Sequence, residues 1–392
     1  MNGELYLPPF DFHQRTRLIF GAGSLGQLAT ACRELHGTHV LIVTDSGLRR
    51  AGHCRKAENV LAEAGLRISV YDQVPENPTS DDVNQCTEFA RSLGIDLLIG
   101  LGGGSSMDCA KGTNFLLTNG GTIHDYKGMG RASRPMLPMI AVPTTSGTGS
   151  EAQSFAVIAD AKTHLKMACG DPKAACRVAI LDPELTLTMP FAVTAATGID
   201  AMTHAIESYV TTRRNSISQM FARQAWALLS QAFPTVLGQP ENLQARGSMQ
   251  LGAFLAGAAI ENSMLGAAHA AANPLTAQFG TTHGIAVGLM MPSVIRWNST
   301  VSNLQYQDLL VAAQWATPDH PSTAAADLLA EGFSTLLQQA GLPTKLGQLT
   351  TETIDSPMLQ VLAEDAAQQW TGTFNPRKMD VASFVELYHG AL

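Results

Sequence analysis

The sequence predicts two domains: an α/β domain with a doubly wound parallel sheet over residues 1–185, and an all-α domain over residues 186–392. In the first half, short apolar runs alternate with helix-like stretches, which is the pattern of strands joined by helices into a parallel sheet. Beyond about residue 185, long Ala- and Leu-rich helical patterns dominate and few β-rich runs remain. Between the halves, Asp182-Pro183-Glu184 and Met189-Pro190 punctuate the chain.

The predicted strands of the α/β domain are short and apolar. Residues 40–43, with the sequence VLIV, are rich in β-branched side chains, as expected of a strand that is buried on both faces. Residues 77–79, Asn-Pro-Thr, open a helix. In chain order the predicted strands span residues 17–20, 40–43, 66–71, 96–101 and 139–142, and the predicted helices span residues 25–35, 54–65, 80–93 and 109–117.

The second domain contains helical patterns only, and they span residues 192–210, 215–234, 245–270, 284–298, 323–340 and 356–370. Residues 262–295 contain no Asp, Glu, Lys or Arg. Because His269, Asn273 and His283 interrupt this stretch, it predicts a buried region rather than a membrane span. Buried polar side chains need partners or a ligand, so these residues become candidates for a binding site.

The composition limits the class of function. Charged residues make up 15% of the 392 residues, well below the roughly 25% of an average soluble chain, which indicates much surface hidden in cores, a cleft or a subunit interface. The net charge of −8 argues against nucleic-acid binding, which needs a basic surface. Six cysteines without a C-x-x-C pair, and an N-terminus unlike a signal peptide, predict a cytoplasmic protein.

Three glycine-rich loops are candidates for binding a phosphate group. Gly21-x-Gly23-x-x-Gly26 matches the dinucleotide fingerprint, but an ordinary tight turn has the same pattern. The loop at residues 102–106 joins an apolar strand to a helix, whose free N–H groups would face a pyrophosphate. Residues 144–150 contain only hydroxyl residues and glycine, and they follow another strand. Ligands of open α/β sheets bind at that edge.

Asp45 ends a predicted strand and could accept hydrogen bonds from a ribose hydroxyl. Its carboxylate would repel a 2′-phosphate, so the residue favours NAD over NADP. The alternative interpretation is a solvated loop carboxylate.

The second domain contains a pattern typical of a metal site. Asp200 and His204 are separated by four residues on one helix, so their side chains share a face, and His269 and His283 lie further along the chain. One carboxylate and three imidazoles suit Fe²⁺ or Zn²⁺. The spacing alone leaves a helix salt bridge and core histidines open. Glu207 on the same helix could support a ligand, or it could form a salt bridge.

The chain resembles the iron-containing (group III) alcohol dehydrogenase family, of the lactaldehyde reductase and 1,3-propanediol dehydrogenase type. The resemblance rests on collinear stretches spread over nearly the whole chain: RLIFGAGSLGQL, TDSGL, PENPT, GLGGGSSMDCAKG, AVPTTSGTGSE, ILDPELTLTMP, ATGIDAMTHAIESYV, HAAANPLTAQFGTTHGIAVGLMMP and FNPR. It implies a dehydroquinate synthase-like architecture, with a dinucleotide-binding α/β domain, a helical metal-binding domain and the active site in the cleft between them.

The resemblance also assigns roles to individual residues. It implies that Asp200, His204, His269 and His283 are the metal ligands and catalytic centre, that the metal is Fe²⁺ or alternatively Zn²⁺, and that the cofactor is NAD. The implied cofactor-binding residues are Asp45, Asn77, Gly103, Gly104, Ser105, Thr144, Thr145, Thr148 and Lys166. With the pyrophosphate on residues 103–105, the Gly21–Gly26 match becomes a structural turn.

The chain departs from the family at one candidate catalytic position. Many members have a second histidine four residues after the third ligand, where this chain has Asn273. An amide can form hydrogen bonds but cannot titrate near neutral pH. A proton relay through this position is therefore in doubt, and the change could mark a subfamily with its own substrate.

The resemblance implies a metal-dependent oxidoreductase that transfers a hydride between NAD(H) and a small alcohol, aldehyde or ketone, with the metal polarising the substrate oxygen. Two alternatives are a lyase of the dehydroquinate-synthase type and a glycerol-dehydrogenase-like oxidation of polyols. A lyase acting on a polyanion would need several cations, and residues 262–295 contain no Lys or Arg. The family resemblance and the low charge fraction favour a homodimer or a higher oligomer, without nucleic-acid or membrane partners.

Overall fold

A computed structural model describes residues 9–163, 165–317 and 324–392. These residues form two compact units. One comprises residues 13–189, and the other comprises residues 9–12 together with residues 190–392.

Among its described residues, the first unit contains nine strands and five α-helices. The strands are β1 (Arg17–Phe20), β2 (His39–Val43), β3 (Arg67–Tyr71), β4 (Leu97–Gly102), β5 (Gly128–Met129), β6 (Met139–Pro143), β7 (Phe155–Ala159), β8 (Lys166–Gly170) and β9 (Val178–Leu181). The helices are α1 (Leu28–Glu34), α2 (Ser46–Arg50), α3 (His53–Glu63), α4 (Ser80–Arg91) and α5 (Gly104–Asn119).

Six of these strands form one parallel sheet in the order β1-β9-β6-β4-β2-β3. Along β2, the side chains of Leu41 and Val43 enter one hydrophobic core, while those of Val40 and Ile42 enter another. Side chains of a strand alternate between the two faces of a sheet, so a core lies on each face. This arrangement confirms the predicted doubly wound α/β fold.

A second, smaller sheet has the order β5-β8-β7, in which β7 and β8 are antiparallel. Neither this sheet nor β9 is among the predicted elements. The sequences of β7 and β8, FAVIA and KMACG, lack a clear alternation of apolar and polar residues, which explains why the pattern missed them.

The second unit contains α-helices and no strand among the residues that the structure describes. They are α6 (Phe191–Val210), α7 (Ser216–Gly238), α8 (Leu243–Glu261), α9 (Ala267–Phe279), α10 (His283–Trp297), α11 (Ser299–Ala312), α12 (Ala325–Gln339), α13 (Ser356–Ala367) and α14 (Val381–His389). The all-α prediction is confirmed.

One predicted helix is wrong. The stretch 245–270 forms two helices, since α8 ends before Asn262 and α9 begins after Gly266. The Asn262 carbonyl accepts a hydrogen bond from the Asn215 side chain, at 2.7 Å, and therefore belongs to a turn. Helices α11 and α14 are also absent from the prediction. Within the described ranges, no helix combines the length and the apolar character needed to cross a bilayer.

Candidate metal centre and glycine loops

Helix α6 carries three candidate side chains on one face. Asp200, His204 and Glu207 follow one another at intervals of four and three residues, so they point in the same direction. The helix begins after Pro190 and is almost entirely buried from Thr194 onward. All three polar side chains are therefore held inside the helical unit, where each needs a partner.

Helices α9 and α10 bring the other two histidines to this face. His269 is the third residue of α9, and His283 is the first residue of α10. Gly284 permits α10 to approach α6, because a Cβ at this position would lie 2.2 Å from the Ala196 carbonyl oxygen. The absence of a side chain at Gly284 thus places His283 beside Asp200.

The structure brings all four predicted metal ligands together. Ligand atoms of Asp200, His269 and His283 lie within 4.8 Å of one another. Nε2 of His204 lies 3.4 Å from Oδ1 of Asp200, and the His204 ring stacks on that of His269 with a centroid separation of 4.8 Å. One carboxylate and three imidazoles therefore converge from three helices.

The charges of this cluster are strongly coupled. Burial alone would raise the pKa of Asp200, but the three neighbouring imidazoles hold it well below its usual range. Burial alone would lower the pKa of His269, but the carboxylates of Glu207 and Asp200 raise it to about 9. The cluster thus stabilises an anionic carboxylate and attracts positive charge to the imidazoles.

Two buried atoms at the centre of the cluster lack a hydrogen-bond partner among the described residues: Oδ1 of Asp200 and Nε2 of His269. They lie 3.6 Å apart, too far for a hydrogen bond between them. Buried polar atoms rarely remain unsatisfied, and an imidazole nitrogen beside a carboxylate oxygen suits a divalent cation. The residues present therefore fit the metal that the sequence predicts.

Asn273 lies one helical turn beyond His269 on α9 and is half-buried. Its Nδ2 donates a hydrogen bond to Oε1 of Gln369, at 2.9 Å. No sequence signal identified Gln369, because its pairing with Asn273 depends on tertiary packing. The position thus holds an amide pair that cannot titrate near neutral pH.

Three of the candidate cofactor residues lie at one edge of the main sheet. Asp45 follows β2, Gly103 follows β4 and Thr144 follows β6, and these strands are neighbours in the sheet. From β2 the chain runs to β3 on one side, and from β3 it crosses to β4 on the other side of β2, which makes the β2/β4 crevice a topological switch point. Ligands of open α/β sheets bind at such points.

The loop between β4 and α5 is tightly packed. A Cβ on Gly104 would lie 2.8 Å from Cγ2 of Thr148, and a Cβ on Gly103 would lie 3.4 Å from Cγ2 of Thr145. Gly103 caps α5 without a side chain, so the first amides of the helix face outward from bare backbone. This geometry suits close approach of a phosphate.

Asn77 and Thr144 form hydrogen bonds with this loop, whereas Asp45 is bonded to the helix that follows it. The Asn77 amide donates to Oγ of Ser105 at 3.2 Å, and the Thr144 amide donates to the Gly102 carbonyl at 3.0 Å. Asp45 caps α2 by accepting from the Leu48 amide at 2.9 Å, through Oδ1.

Lys166 opens β8 and is exposed. Its charge acts on Asp108 in α5. Burial raises the pKa of Asp108, and the Lys111 and Lys166 charges oppose that rise.

The glycine pattern at residues 21–26 has a different partner. The carboxylate of Asp182 accepts hydrogen bonds from the amides of Gly23 and Leu25, both at 3.0 Å. The amides that a pyrophosphate would need are thus occupied by a buried side chain. This contact supports the interpretation of the pattern as a structural turn.

Comparison with known families decides the assignment. The family profile described as "Iron-containing alcohol dehydrogenase" matches residues 15–183, and the profile "Fe-containing alcohol dehydrogenase family, C-terminal" matches residues 194–392. The chain belongs to the iron-containing alcohol dehydrogenase family. The resemblance drawn from the sequence motifs is confirmed, and the protein is an oxidoreductase.

Individual relatives of this alcohol dehydrogenase match over almost their full length. It is 30% identical to the NAD-dependent methanol dehydrogenase of Bacillus methanolicus, over 99% of this chain and 100% of the relative. It is 32% identical to the lactaldehyde reductase of Escherichia coli K12, over 95% and 97% respectively. A crystal structure of 1,3-propanediol oxidoreductase superposes with a TM-score of 0.94 at 30% identity, covering 98% of this chain and 100% of that chain.

Proposed function

We propose that this alcohol dehydrogenase transfers a hydride between NAD(H) and a small primary or secondary alcohol, or the corresponding aldehyde or ketone. The proposal assigns a divalent metal to Asp200, His204, His269 and His283, with Fe²⁺ as the first choice and Zn²⁺ as the alternative. The observation that carries it is the convergence of these four side chains, two of which carry a buried atom without a hydrogen-bond partner among the described residues.

A divalent ion at this position supplies Lewis-acid chemistry, which lowers the pKa of an alcohol hydroxyl and polarises a carbonyl group, while NAD supplies the hydride acceptor. The residues of the chain orient the substrate and offset the positive charge of the metal. The Asp200 carboxylate offsets the positive charge of the centre, and its low pKa keeps it ionised throughout the physiological range. Asn273 can donate to or accept from a substrate oxygen, but it cannot carry a proton away from it.

The cofactor residues of the proposal lie in the α/β unit. The amides at the start of α5 would bind the pyrophosphate, and the free oxygen of Asp45 would accept a ribose hydroxyl. The other residues assigned to cofactor binding are Asn77, Gly103, Gly104, Ser105, Thr144, Thr145, Thr148 and Lys166. The NAD dependence in the name of the Bacillus methanolicus relative supports this choice of cofactor.

A smaller part of the proposal concerns assembly and compartment. We propose a cytoplasmic homodimer or higher homo-oligomer. All six cysteines are free and buried, as expected where thiols stay reduced. Sedimentation equilibrium of the purified chain tests the assembly, and a monomer at micromolar concentration would contradict it.

The substrate class is tested with anaerobically prepared protein and a panel of short aldehydes, with Fe²⁺, with Zn²⁺ and after chelation. We expect NADH oxidation that is stoichiometric with aldehyde reduction and depends on the added metal. Bound NAD without net NADH change during turnover would instead indicate a lyase that regenerates its cofactor. Absence of turnover with every metal and aldehyde would contradict the proposal.

A further inference from the structure

Glu207 contacts a metal-ligand histidine from the side opposite the centre of the cluster. Its Oε2 lies 2.6 Å from Nδ1 of His269, and the side chain is 2% exposed. The sequence left open whether Glu207 forms a helix salt bridge or supports a ligand. In the structure, the Glu207 carboxylate on α6 contacts His269 on α9, so the contact joins two helices.

Both oxygens of this carboxylate accept hydrogen bonds at the start of α9. While Oε2 faces Nδ1 of His269, Oε1 accepts from the Ala268 amide at 2.6 Å. A carboxylate offers only acceptors, so Nδ1 must carry the ring proton. In the neutral imidazole, which is the form that can ligate a metal, the lone pair then lies on Nε2, the atom that faces Asp200 without a hydrogen-bond partner among the described residues.

Asn375 also holds the start of α9, but its contact there is with a backbone amide and not with the ligand His269. Helix α9 begins after Gly266 with no cap from its own segment, and Oδ1 of Asn375 accepts from the Ala267 amide at 3.4 Å. A Cβ on Gly266 would lie 3.0 Å from Oε1 of Glu207 and 3.2 Å from Oδ1 of Asn375. Two side chains therefore hold the start of α9, and of these two only Glu207 also contacts His269.

We propose that Glu207 is a positioning residue that sets the metal affinity of the centre through the tautomer and orientation of His269. This inference rests on the proposed function, since it requires His269 to be a ligand. Loss of such an outer partner typically lowers metal affinity by roughly 10- to 100-fold.

The substitution Glu207→Gln is informative because it keeps the shape and changes one acceptor to a donor. If the amide nitrogen faces His269, it donates to Nδ1 and moves the ring proton to Nε2, where a metal would bind. If the amide oxygen faces His269, the nitrogen meets the Ala268 amide, and two donors oppose each other. Either orientation breaks one of the two contacts.

The test measures the dissociation constants of Zn²⁺, and of Fe²⁺ under anaerobic conditions, by competition with a chelator on the metal-stripped full chain. We expect Glu207→Gln to raise both dissociation constants roughly 10- to 100-fold. Asn375→Ala is the control, because it removes the contact with the Ala267 amide, together with the buried Asn298 contacts of Asn375, and leaves the Glu207–His269 hydrogen bond in place. We expect it to change the constants by less than about threefold. Glu207→Asp keeps the charge but shortens the side chain, and we expect its loss of metal affinity to lie between those of Glu207→Gln and Asn375→Ala.

A double-mutant cycle separates positioning from a general structural role. In the His269→Ala background, whose metal binding is weaker, Glu207→Gln should have no further effect. An undiminished effect there, wild-type affinity in Glu207→Gln, or an equal loss in Asn375→Ala would overturn the inference. If Glu207→Gln does not fold, the same double-mutant cycle is measured with Glu207→Asp in its place. Failure of the wild-type chain to bind either metal would instead contradict the proposed function itself, so the two failures are distinguishable.

Discussion

The metal centre and the glycine loops differ in which atoms are placed for binding. In the helical unit, four side chains from α6, α9 and α10 converge, and each contributes a titratable group. In the α/β unit, bare backbone at the ends of neighbouring parallel strands offers amides, and glycines keep the space open. A side-chain site is therefore vulnerable to the removal of atoms, whereas a backbone site is vulnerable to their addition.

The largest expected effect comes from removing a charged ligand. Asp200→Asn keeps the size of the side chain but removes the negative charge that offsets the metal. We expect kcat/KM for alcohol oxidation to fall by more than about a hundredfold, beyond the usual cost of losing an outer partner. Metal content and NAD affinity should be measured on the same sample. We expect the bound metal to be lost and the NAD affinity to stay unchanged, and full activity in a metal-free variant would contradict this.

A methyl group added at Gly284, which is not itself a ligand, should disturb the geometry of the metal centre. In Gly284→Ala, the new Cβ would lie 2.2 Å from the Ala196 carbonyl oxygen, so α10 must move away from α6 and carry His283 with it. We expect a loss of about 1–3 kcal/mol in the free energy of unfolding, together with weaker metal binding. Urea denaturation and chelator competition measure the two effects.

Gly347→Ala provides the control for this prediction. A Cβ on Gly347 meets no heavy atom within 4 Å, so metal binding should stay at the wild-type level. Equal metal affinity in Gly284→Ala and wild type would show that the approach of α10 to α6 does not determine the site.

The glycine loop should respond to the addition of a single carbon. In Gly104→Ala, the Cβ would lie 2.8 Å from Cγ2 of Thr148, which crowds the amides at the start of α5. We expect the dissociation constant for NAD to rise roughly tenfold, which is equivalent to about 1.4 kcal/mol of binding free energy. Metal affinity should not change. Titration of NADH fluorescence measures the constant, and wild-type NAD affinity in Gly104→Ala would contradict the prediction.

Gly26→Ala is the matched control for the choice of loop. It lies in the pattern whose amides bind Asp182, and a Cβ there meets no heavy atom within 4 Å. We expect unchanged NAD affinity. If Gly26→Ala weakened NAD binding and Gly104→Ala did not, the two loops would have exchanged roles.

The prediction with the smallest effect on turnover concerns stability. Burial raises the pKa of Glu151 in the α/β unit from 4.5 to about 7, although its own backbone amide and the Lys111 charge lower it. As pH rises from about 5 to 7, the unfolded chain releases this proton first, so the free energy of unfolding falls. Glu151→Gln cannot ionise and should gain stability relative to wild type over this window, by up to roughly 3 kcal/mol.

Urea denaturation of both proteins at several pH values measures the difference. Glu88→Gln is the control, because the Glu88 side chain is 70% exposed, whereas Glu151 is buried. A stability difference between Glu151→Gln and wild type that stays constant from pH 5 to pH 8 would contradict the prediction.

The two sites also differ in how far the sequence predicts them. Local order predicts the glycine loops, since an apolar strand, a glycine run and a helix follow one another directly between residues 97 and 119. The proposed choice of the residue 102–106 loop for the phosphate depends in part on Asp182, which lies more than 150 positions from Gly23, and no local pattern shows that contact. The parallel sheet brings Asp45, Gly103 and Thr144 to one edge, as the alternation of strands and helices predicts.

The metal centre depends more on tertiary packing. Spacing places Asp200 and His204 on one face, but it leaves a salt bridge open, and it cannot show that His269 and His283 lie beside them. The break between α8 and α9 was missed because residues 245–270 keep a helical pattern through the turn at Asn262. The same limit applies to Gln369, whose contact with Asn273 spans 96 positions in the chain.

The most direct test of the central claim follows metal content and NAD-dependent alcohol oxidation together in the wild-type enzyme. The chain is stripped with a chelator in steps, and Fe²⁺ or Zn²⁺ is then restored under anaerobic conditions. We predict that turnover falls in proportion to bound metal, returns when the metal is restored, and leaves NAD affinity unchanged throughout. Undiminished turnover in the metal-free enzyme would contradict the account.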